Sequence, residues 1–116
     1  MNTLVNIEIA KLLKEAGFND SCNNWYNFSG LLIKFHSKQY SSNNKRFPSY
    51  SAPTIAEVVM WLYEKHGIWI EARKELTSNE IGVRFVTYID CVEFNKYTTP
   101  TEALLAAIIY TLNNLI

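Results

Sequence analysis

The sequence predicts an α+β protein in which three helices alternate with two antiparallel hairpins. Three segments carry apolar residues at helical spacing, and each is bounded by a capping residue or a stop glycine. Between these segments lie two pairs of β-prone runs, and the short connection within each pair allows only antiparallel pairing. The expected order is therefore helix, hairpin, helix, hairpin, helix.

Length and composition predict one domain spanning residues 1–116. Of the 116 residues, 48% are apolar and 19% are charged, which is an ordinary globular composition. A chain of this mass buries roughly two-thirds of its unfolded surface. That is enough for one core without help from a metal ion or a disulfide.

Apolar stripes and end signals define the three helices. The predicted helices span about residues 7–16, 54–66 and 100–115. Gly17 and Gly67 end the first two, because glycine readily adopts the left-handed conformation that follows a helix. Thr99 and Pro100 start the third, as N-cap and first helical residue.

The first hairpin is predicted from the β-prone runs Cys22–Phe28 and Leu31–Phe35, which the turn residues Ser29 and Gly30 separate. A polar loop rich in Ser and Asn is expected after it, at about residues 37–51.

The second hairpin is predicted from Ile68–Glu75 and Ile81–Val92, with the turn near residues 77–79. This register places isoleucines on one face, and a slip by one residue would expose them. The facing pairs expected on the outer face are Trp69 with Tyr88, Glu71 with Val86 and Arg73 with Arg84.

This outer face is the first candidate partner surface. Large aromatic and Arg side chains are typical of interface hot spots, and here they stand where an antiparallel sheet usually shows polar residues to water. The members are Trp69, Tyr88, Arg73 and Arg84. The alternative is that another element covers Trp69 and Tyr88, which makes them core residues.

Helix 3 is the second candidate partner surface. Its apolar residues spread beyond one stripe. One small sheet face cannot easily cover Ile109 and Tyr110 in addition to Leu105 and Ile108. We expect Ile109 to contact a protein partner or a second copy in a two-fold dimer. Cover by other elements of the same chain is the alternative.

A basic segment gives the alternative function, which is nucleic-acid binding. No acidic residue occurs between Ser21 and Ala56, so the segment is basic although the whole chain has no net charge. Lys and Arg interleaved with aromatic residues suit contacts with phosphates and bases. The candidate contacts are Lys34, Lys38, Lys45, Arg46, Tyr40 and Phe47. A solvated loop that happens to be basic is the simpler interpretation.

The chain lacks the motifs of enzymes, metal sites and membrane spans. It has no phosphate-binding glycine loop and no HExxH or GxSxG spacing. The solitary residues Cys22, Cys91, His36 and His66 lack the paired spacing of zinc ligands. We therefore expect no catalytic residues, no cofactor, no metal and no membrane segment, and we expect both cysteines to be free thiols of a cytoplasmic protein.

Several blocks of the sequence resemble one protein family. The blocks are AKLLKEAGF at 10–18, Cys22 followed by Trp25 and Tyr26, APT at 52–54, WLYEKHG at 61–67 leading into IWIE, and TEALL at 101–105 with the ending Asn114, Leu115 and Ile116. They resemble a family of short proteins abundant in Bacteroides genomes and their phages and prophages. This chain differs from the family pattern in its Ser- and Asn-rich loop and in the apolar residues Val59 and Met60. The resemblance implies a small cytoplasmic protein of a gut-bacterial or mobile-element lineage, and it implies no activity.

The sequence as a whole predicts a small accessory protein that acts by binding another protein or itself. Nucleic-acid binding through residues 34–46 is the alternative. An enzyme is the least favoured class, because no convergent set of titratable residues can be placed together.

Overall fold

The three helices begin and end within one residue of the predicted positions. In the computed structural model, which describes residues 3–20, 22–34, 49–76 and 83–116, the helices are α1 (Ile7–Glu15), α2 (Ile55–His66) and α3 (Pro100–Asn114). Helices α1 and α3 begin at their predicted caps. The Asn6 side chain accepts a hydrogen bond from the Ile9 N–H at 2.9 Å, and the Thr99 hydroxyl accepts one from the Glu102 N–H at 3.2 Å.

Glycine ends α1 in the predicted way. Gly17 has a φ of 91°, and the Phe18 N–H donates to the Leu13 carbonyl at 2.9 Å. This is the Schellman ending, in which the residue after the glycine folds back over the last turn. Phe18 is accordingly buried.

Two compact units make up the chain, and they are described separately. The N-terminal unit covers residues 2–55 and the C-terminal unit covers residues 56–116. The predicted single domain stays a prediction.

The N-terminal unit contains α1 and a three-stranded antiparallel sheet in the order β2-β1-β3. Strands β1 (Asn24–Tyr26) and β2 (Leu32–Lys34) form the predicted first hairpin, with shorter strands than expected. Strand β3 (Tyr50–Ser51) was not predicted, and it replaces the end of the expected loop at 37–51. A strand of two residues has no periodicity to reveal it, and it depends on pairing with β1.

The core of the N-terminal unit is formed by the apolar stripe of α1 with residues of its flanking segments. Its fully buried members include Val5, Ile9, Leu13 and Phe18. The Tyr26 hydroxyl donates to the Val5 carbonyl at 2.8 Å, and burial raises the pKa of Tyr26 above its ordinary value.

The C-terminal unit contains a second antiparallel sheet in the order β4-β5-β6, and α3 packs against all three strands. The strands are β4 (Ile70–Leu76), β5 (Val83–Ile89) and β6 (Val92–Tyr97). The prediction of one strand over Ile81–Val92 is therefore wrong, because a turn at Asp90 and Cys91 divides it. With six strands in the described residues, the structure is α+β with antiparallel sheets, but the elements do not follow the predicted helix and hairpin order.

The register of β4 against β5 differs from the prediction by two residues. Glu71 lies opposite Tyr88, and Arg73 lies opposite Val86. The predicted pairs of Trp69 with Tyr88 and of Arg73 with Arg84 are therefore wrong. A shift of two residues keeps every side chain on its predicted face, which is why the apolar pattern could not distinguish the two registers. The predicted turn at residues 77–79 lies outside the described residues.

None of the helices in the described part of the chain has the length and the apolar content needed to cross a membrane.

Candidate functional site

A two-residue turn joins β5 to β6 at one end of the C-terminal sheet. Its residues Asp90 and Cys91 have φ values of 49° and 68°. Positive φ at both central residues is the type I′ geometry, which matches the twist of the flanking strands. Asp tolerates this conformation better than most residues, whereas Cys has no side-chain group that favours it.

Asp90 is also bonded to the start of β4. Its backbone N–H donates to the Trp69 carbonyl at 2.8 Å, and its carboxylate accepts from the Trp69 N–H at 2.8 Å. The Trp69 ring meets Tyr63 of α2 edge-on, at 5.6 Å between ring centres. The turn is thus tied to its own sheet at a fixed position.

Next to this turn lies an open apolar groove of about 390 Å³. Its apolar walls come from β5, β6 and the C-terminal end of α3. They are lined by Ile89, Val92, Phe94, Tyr110 and Leu115. Three of these are large side chains with much of their surface in solvent, at 68% for Val92, 40% for Tyr110 and 45% for Leu115.

A β-bulge shapes the wall that β6 contributes. Thr87 of β5 lies opposite Asn95, while the next residue, Tyr88, lies opposite Glu93, so Phe94 is the extra residue. The Phe94 ring lies against Tyr110 of α3, at 4.8 Å between ring centres. The bulge therefore supplies one of the two aromatic rings of the groove.

The groove has an acidic rim. Asp90 and Glu93 line it in addition to the apolar residues, and both are exposed. The C-terminal unit carries eight Asp and Glu against five Lys and Arg, whereas the N-terminal unit carries three against six. The chain has zero net charge because the negative charge of the C-terminal unit offsets the positive charge of the N-terminal unit.

Trp69 and Tyr88, the aromatic members of the first candidate partner surface, are arranged differently from the prediction. Trp69 is 39% exposed and Tyr88 is half-buried. The Arg73 guanidinium lies over the Tyr88 ring at 4.4 Å and pairs with the Glu71 carboxylate at 2.6 Å. The side chain of Arg84 lies outside the described residues. The structure therefore brings together Arg73 and Tyr88, and it pairs the Trp69 ring with Tyr63 instead.

Two pKa values on this face depart from their ordinary range. The hydrogen bond from the Tyr88 hydroxyl to Glu75, at 2.7 Å, raises the pKa of Tyr88, because it favours the protonated phenol. The hydrogen bond to Glu71 raises the pKa of Arg73. Neither shift provides a general acid or base near neutral pH, since both groups stay protonated there.

Ile109 is half-buried on α3. Its neighbours differ: Ile108 is fully buried, and Tyr110 enters the groove. The sequence predicted that Ile109 and Tyr110 both lie beyond the cover of one sheet face. The structure leaves Tyr110 exposed, together with Leu115 and Ile116 just after α3. The groove residues Val92 and Phe94 were missed because β6 itself was not predicted.

Most of the predicted nucleic-acid contacts lie outside the described residues, namely Lys38, Tyr40, Lys45, Arg46 and Phe47. Lys34 is exposed at the end of β2.

Two further lysines, Lys11 and Lys14, lie beside Tyr50 of β3. The ammonium groups of Lys11 and Lys14 lie 5.7 Å and 5.1 Å from the centre of the Tyr50 ring, and Lys14 also donates to the Ser49 carbonyl. Neither lysine was predicted to contact a nucleic acid. Their spacing of three residues on one helix was the available signal.

The hairpin of the N-terminal unit presents a second exposed apolar feature, Phe28 and Leu31. The Asn27 side-chain oxygen accepts hydrogen bonds from the N–H groups of Ser29 and Leu31, and Gly30 has a φ of 85°. These contacts fix the turn that carries Phe28.

Among the described residues, the side chains that could act as nucleophiles, acids, bases or metal ligands do not gather at one site. Cys22 is buried and Cys91 is exposed, and both are free thiols. Across residues 3–20, 22–34, 49–76 and 83–116, no three His, Cys, Asp or Glu side chains gather as metal ligands do. His36 lies outside these ranges, and the His66 ring meets Trp61 edge-on. The apolar groove is therefore the feature most suited to a functional role.

Comparison with family models, with curated proteins and with solved structures finds no match to this chain. The resemblance to the Bacteroides and phage family stays a prediction.

Proposed function

We propose that this chain acts in the cytoplasm by binding another protein through the apolar groove of its C-terminal unit. The observation that carries the proposal is the exposure of Val92, Tyr110 and Leu115 around one concave surface. Exposed apolar side chains that share a surface mark binding sites more often than isolated ones do. The groove has the volume of a pocket for one or two apolar side chains, and ligand pockets are mostly apolar in the same way.

The rim defines the chemistry of the partner. Asp90 and Glu93 border the groove, and the unit that carries it is acidic. A partner segment with an aromatic or branched apolar anchor flanked by Lys or Arg complements both features. An acidic segment would be repelled, even with the same anchor.

Selection from a displayed peptide library tests this function with the full chain as bait. We expect enrichment of peptides that combine an apolar anchor with flanking basic residues. Val92→Asp puts a charge into the groove and should abolish binding of the selected peptides. Met60→Asp is the matched control, because Met60 is also an exposed apolar residue but does not line the groove.

The proposal fails if no peptide is enriched, or if the selected peptides bind the Val92→Asp variant as well as the Met60→Asp variant. Enrichment of acidic peptides would contradict the role given to Asp90 and Glu93.

Nucleic-acid binding by the N-terminal unit is the second candidate function. One specific observation favours it: this unit has twice as many basic as acidic residues, and Lys11 and Lys14 add to the charge of residues 34–46. Binding through phosphates should weaken steeply between low and physiological salt, because each contact releases a counterion.

Fluorescence anisotropy with a labelled single strand of DNA or RNA measures this salt dependence. Replacing Lys38, Lys45 and Arg46 by Ser should flatten it, whereas Lys74→Ser in the C-terminal unit should leave it unchanged. Absence of binding at low salt would remove this candidate.

A further inference from the structure

Strand β4 is an edge strand of its sheet, and its outer backbone N–H and C=O groups have no neighbouring strand in the described residues. A second strand could form hydrogen bonds with these groups. Strand β4 pairs with β5 over all seven residues without a bulge. Because the Trp69 carbonyl accepts from Asp90 on the β5 side, alternation along the strand turns the backbone groups of Ala72 and Lys74 outward, and neither residue is buried. Among the described residues, no backbone hydrogen bond outside the sheet uses these groups.

The opposite edge of the same sheet, β6, is protected. Its bulge at Phe94 interrupts the strand, and the Lys96 N–H is occupied by the side-chain oxygen of Asn95 at 2.9 Å. Bulges of this kind prevent pairing between sheet edges. The two edges therefore differ, and only β4 keeps a ladder of regularly spaced outward groups.

We propose that two copies of this chain pair antiparallel through β4, with the two-fold axis at Ala72, to form a continuous six-stranded sheet. In this register the Ala72 residues of the two copies exchange backbone hydrogen bonds. Glu71 then lies opposite Arg73 of the second copy, and the same pair recurs on the other side of the axis. In the ladder between the two β4 strands, both are non-hydrogen-bonded pairs, in which facing side chains approach most closely.

The charges of β4 select this register. An axis at Glu71 sets two carboxylates against each other, and an axis at Arg73 sets two guanidinium groups against each other. An axis at Lys74 opposes two ammonium groups. The axis at Ala72 alone among these gives two pairs of opposite charge and no pair of like charge.

Arg73 is already positioned for the contact. Its guanidinium lies over the Tyr88 ring and pairs with Glu71 of its own strand, so it is held along the sheet face. A side chain held in this way loses less conformational freedom when it binds. The surface is distinct from the groove, which lies beside the opposite edge strand.

The test is the mass of the full chain in solution, measured by light scattering or sedimentation over micromolar concentrations. We expect a dimer for the natural sequence. Glu71→Arg alone and Arg73→Glu alone should each raise the dimer dissociation constant about tenfold or more, because attraction becomes repulsion at both symmetric pairs. The double variant Glu71→Arg with Arg73→Glu should restore the dimer. Lys96→Glu, a charge reversal on β6, is the matched control and should change nothing.

A second variant tests the backbone pairing. Proline is tolerated on edge strands where its missing N–H would face solvent, so Ala72→Pro should remain folded but should not dimerise. If this variant unfolds, the charge exchange still decides the outcome.

A monomer at every concentration would overturn the proposal, and the charges of β4 would then be edge protection. A double variant as weak as the single variants would also overturn it. Loss of the dimer by Val92→Asp but not by the β4 variants would show that the groove is the self-association surface. Peptide binding by the groove is a separate measurement, so either proposal can fail without the other.

Discussion

Trp69 and Asp90 exchange two hydrogen bonds across the junction of β4 and the turn between β5 and β6. The Asp90 N–H donates to the Trp69 carbonyl, and the Trp69 N–H donates to the Asp90 carboxylate, both at 2.8 Å. One residue thus satisfies both backbone groups of the residue before β4. The exchange fixes the register of β4 against β5 and the position of the turn beside the groove.

Asp90→Ala should lower the free energy of unfolding by about 1–2 kcal/mol. The variant loses an acceptor bonded to a backbone N–H, and it places in a left-handed conformation a residue that disfavours it. Asp90→Asn keeps an acceptor oxygen and tolerates positive φ, so its loss should be smaller. Urea denaturation of both variants measures the difference, and equal losses would mean that the side-chain bond contributes nothing.

Cys91→Gly should stabilise the protein by about 0.5–1 kcal/mol. The φ of 68° at Cys91 strains an L-residue and costs Gly nothing, which outweighs the extra freedom that Gly has in the unfolded chain. Cys91→Ala keeps the strain and should bring no gain. If thermal unfolding shows the same shift for both variants, the thiol rather than the backbone conformation is responsible.

The helices could be predicted because their signals are local. Asn6, Gly17 and Thr99 act within one turn of a helix end, so both partners of each contact are only a few residues apart in the sequence. The turn at Asp90 and Cys91 could not be predicted in the same way. The usual sequence of a type I′ turn is Asn-Gly or Asp-Gly. Here the turn residues are Asp-Cys, and within an apolar run this pair gives no turn signal, so the pattern predicted a continuous strand.

The groove could not be predicted for the same reason. Because the turn was not predicted, β6 was not predicted either, and nothing in the sequence indicated that Val92 and Phe94 lie beside α3. The sequence did indicate that α3 has more apolar surface than one sheet face covers, and Tyr110 and Leu115 bear this out. The register of β4 against β5 could not be predicted, because it depends on the contact between Trp69 and Asp90, which are 21 residues apart in the sequence.

The two cysteines should react at different stages with a thiol reagent. Cys91 is exposed and should react in the native protein, whereas Cys22 is buried and should react only after denaturation. Neither reaction should require prior reduction. The Cys91→Ala variant identifies the fast thiol. Failure of both cysteines to react in denaturant without a reductant would contradict the assignment of free thiols.

The ionisation of Tyr88 should report its contact with Glu75. The hydrogen bond to Glu75 raises the pKa of Tyr88 above its ordinary value of 10.0, so the folded state holds the phenolic proton more tightly than the unfolded chain does. This contribution to stability is fully present below pH 10 and is lost as the pH rises through the folded-state pKa. Subtracting the phenolate absorbance of Tyr88→Phe from that of the natural protein isolates the titration of Tyr88, which should fall above the ordinary value. Glu75→Gln keeps a hydrogen-bond acceptor but removes the negative charge, so it should bring the titration of Tyr88 closer to that value. If the Tyr88 titration is the same with Gln at position 75, the carboxylate does not hold the phenol in solution.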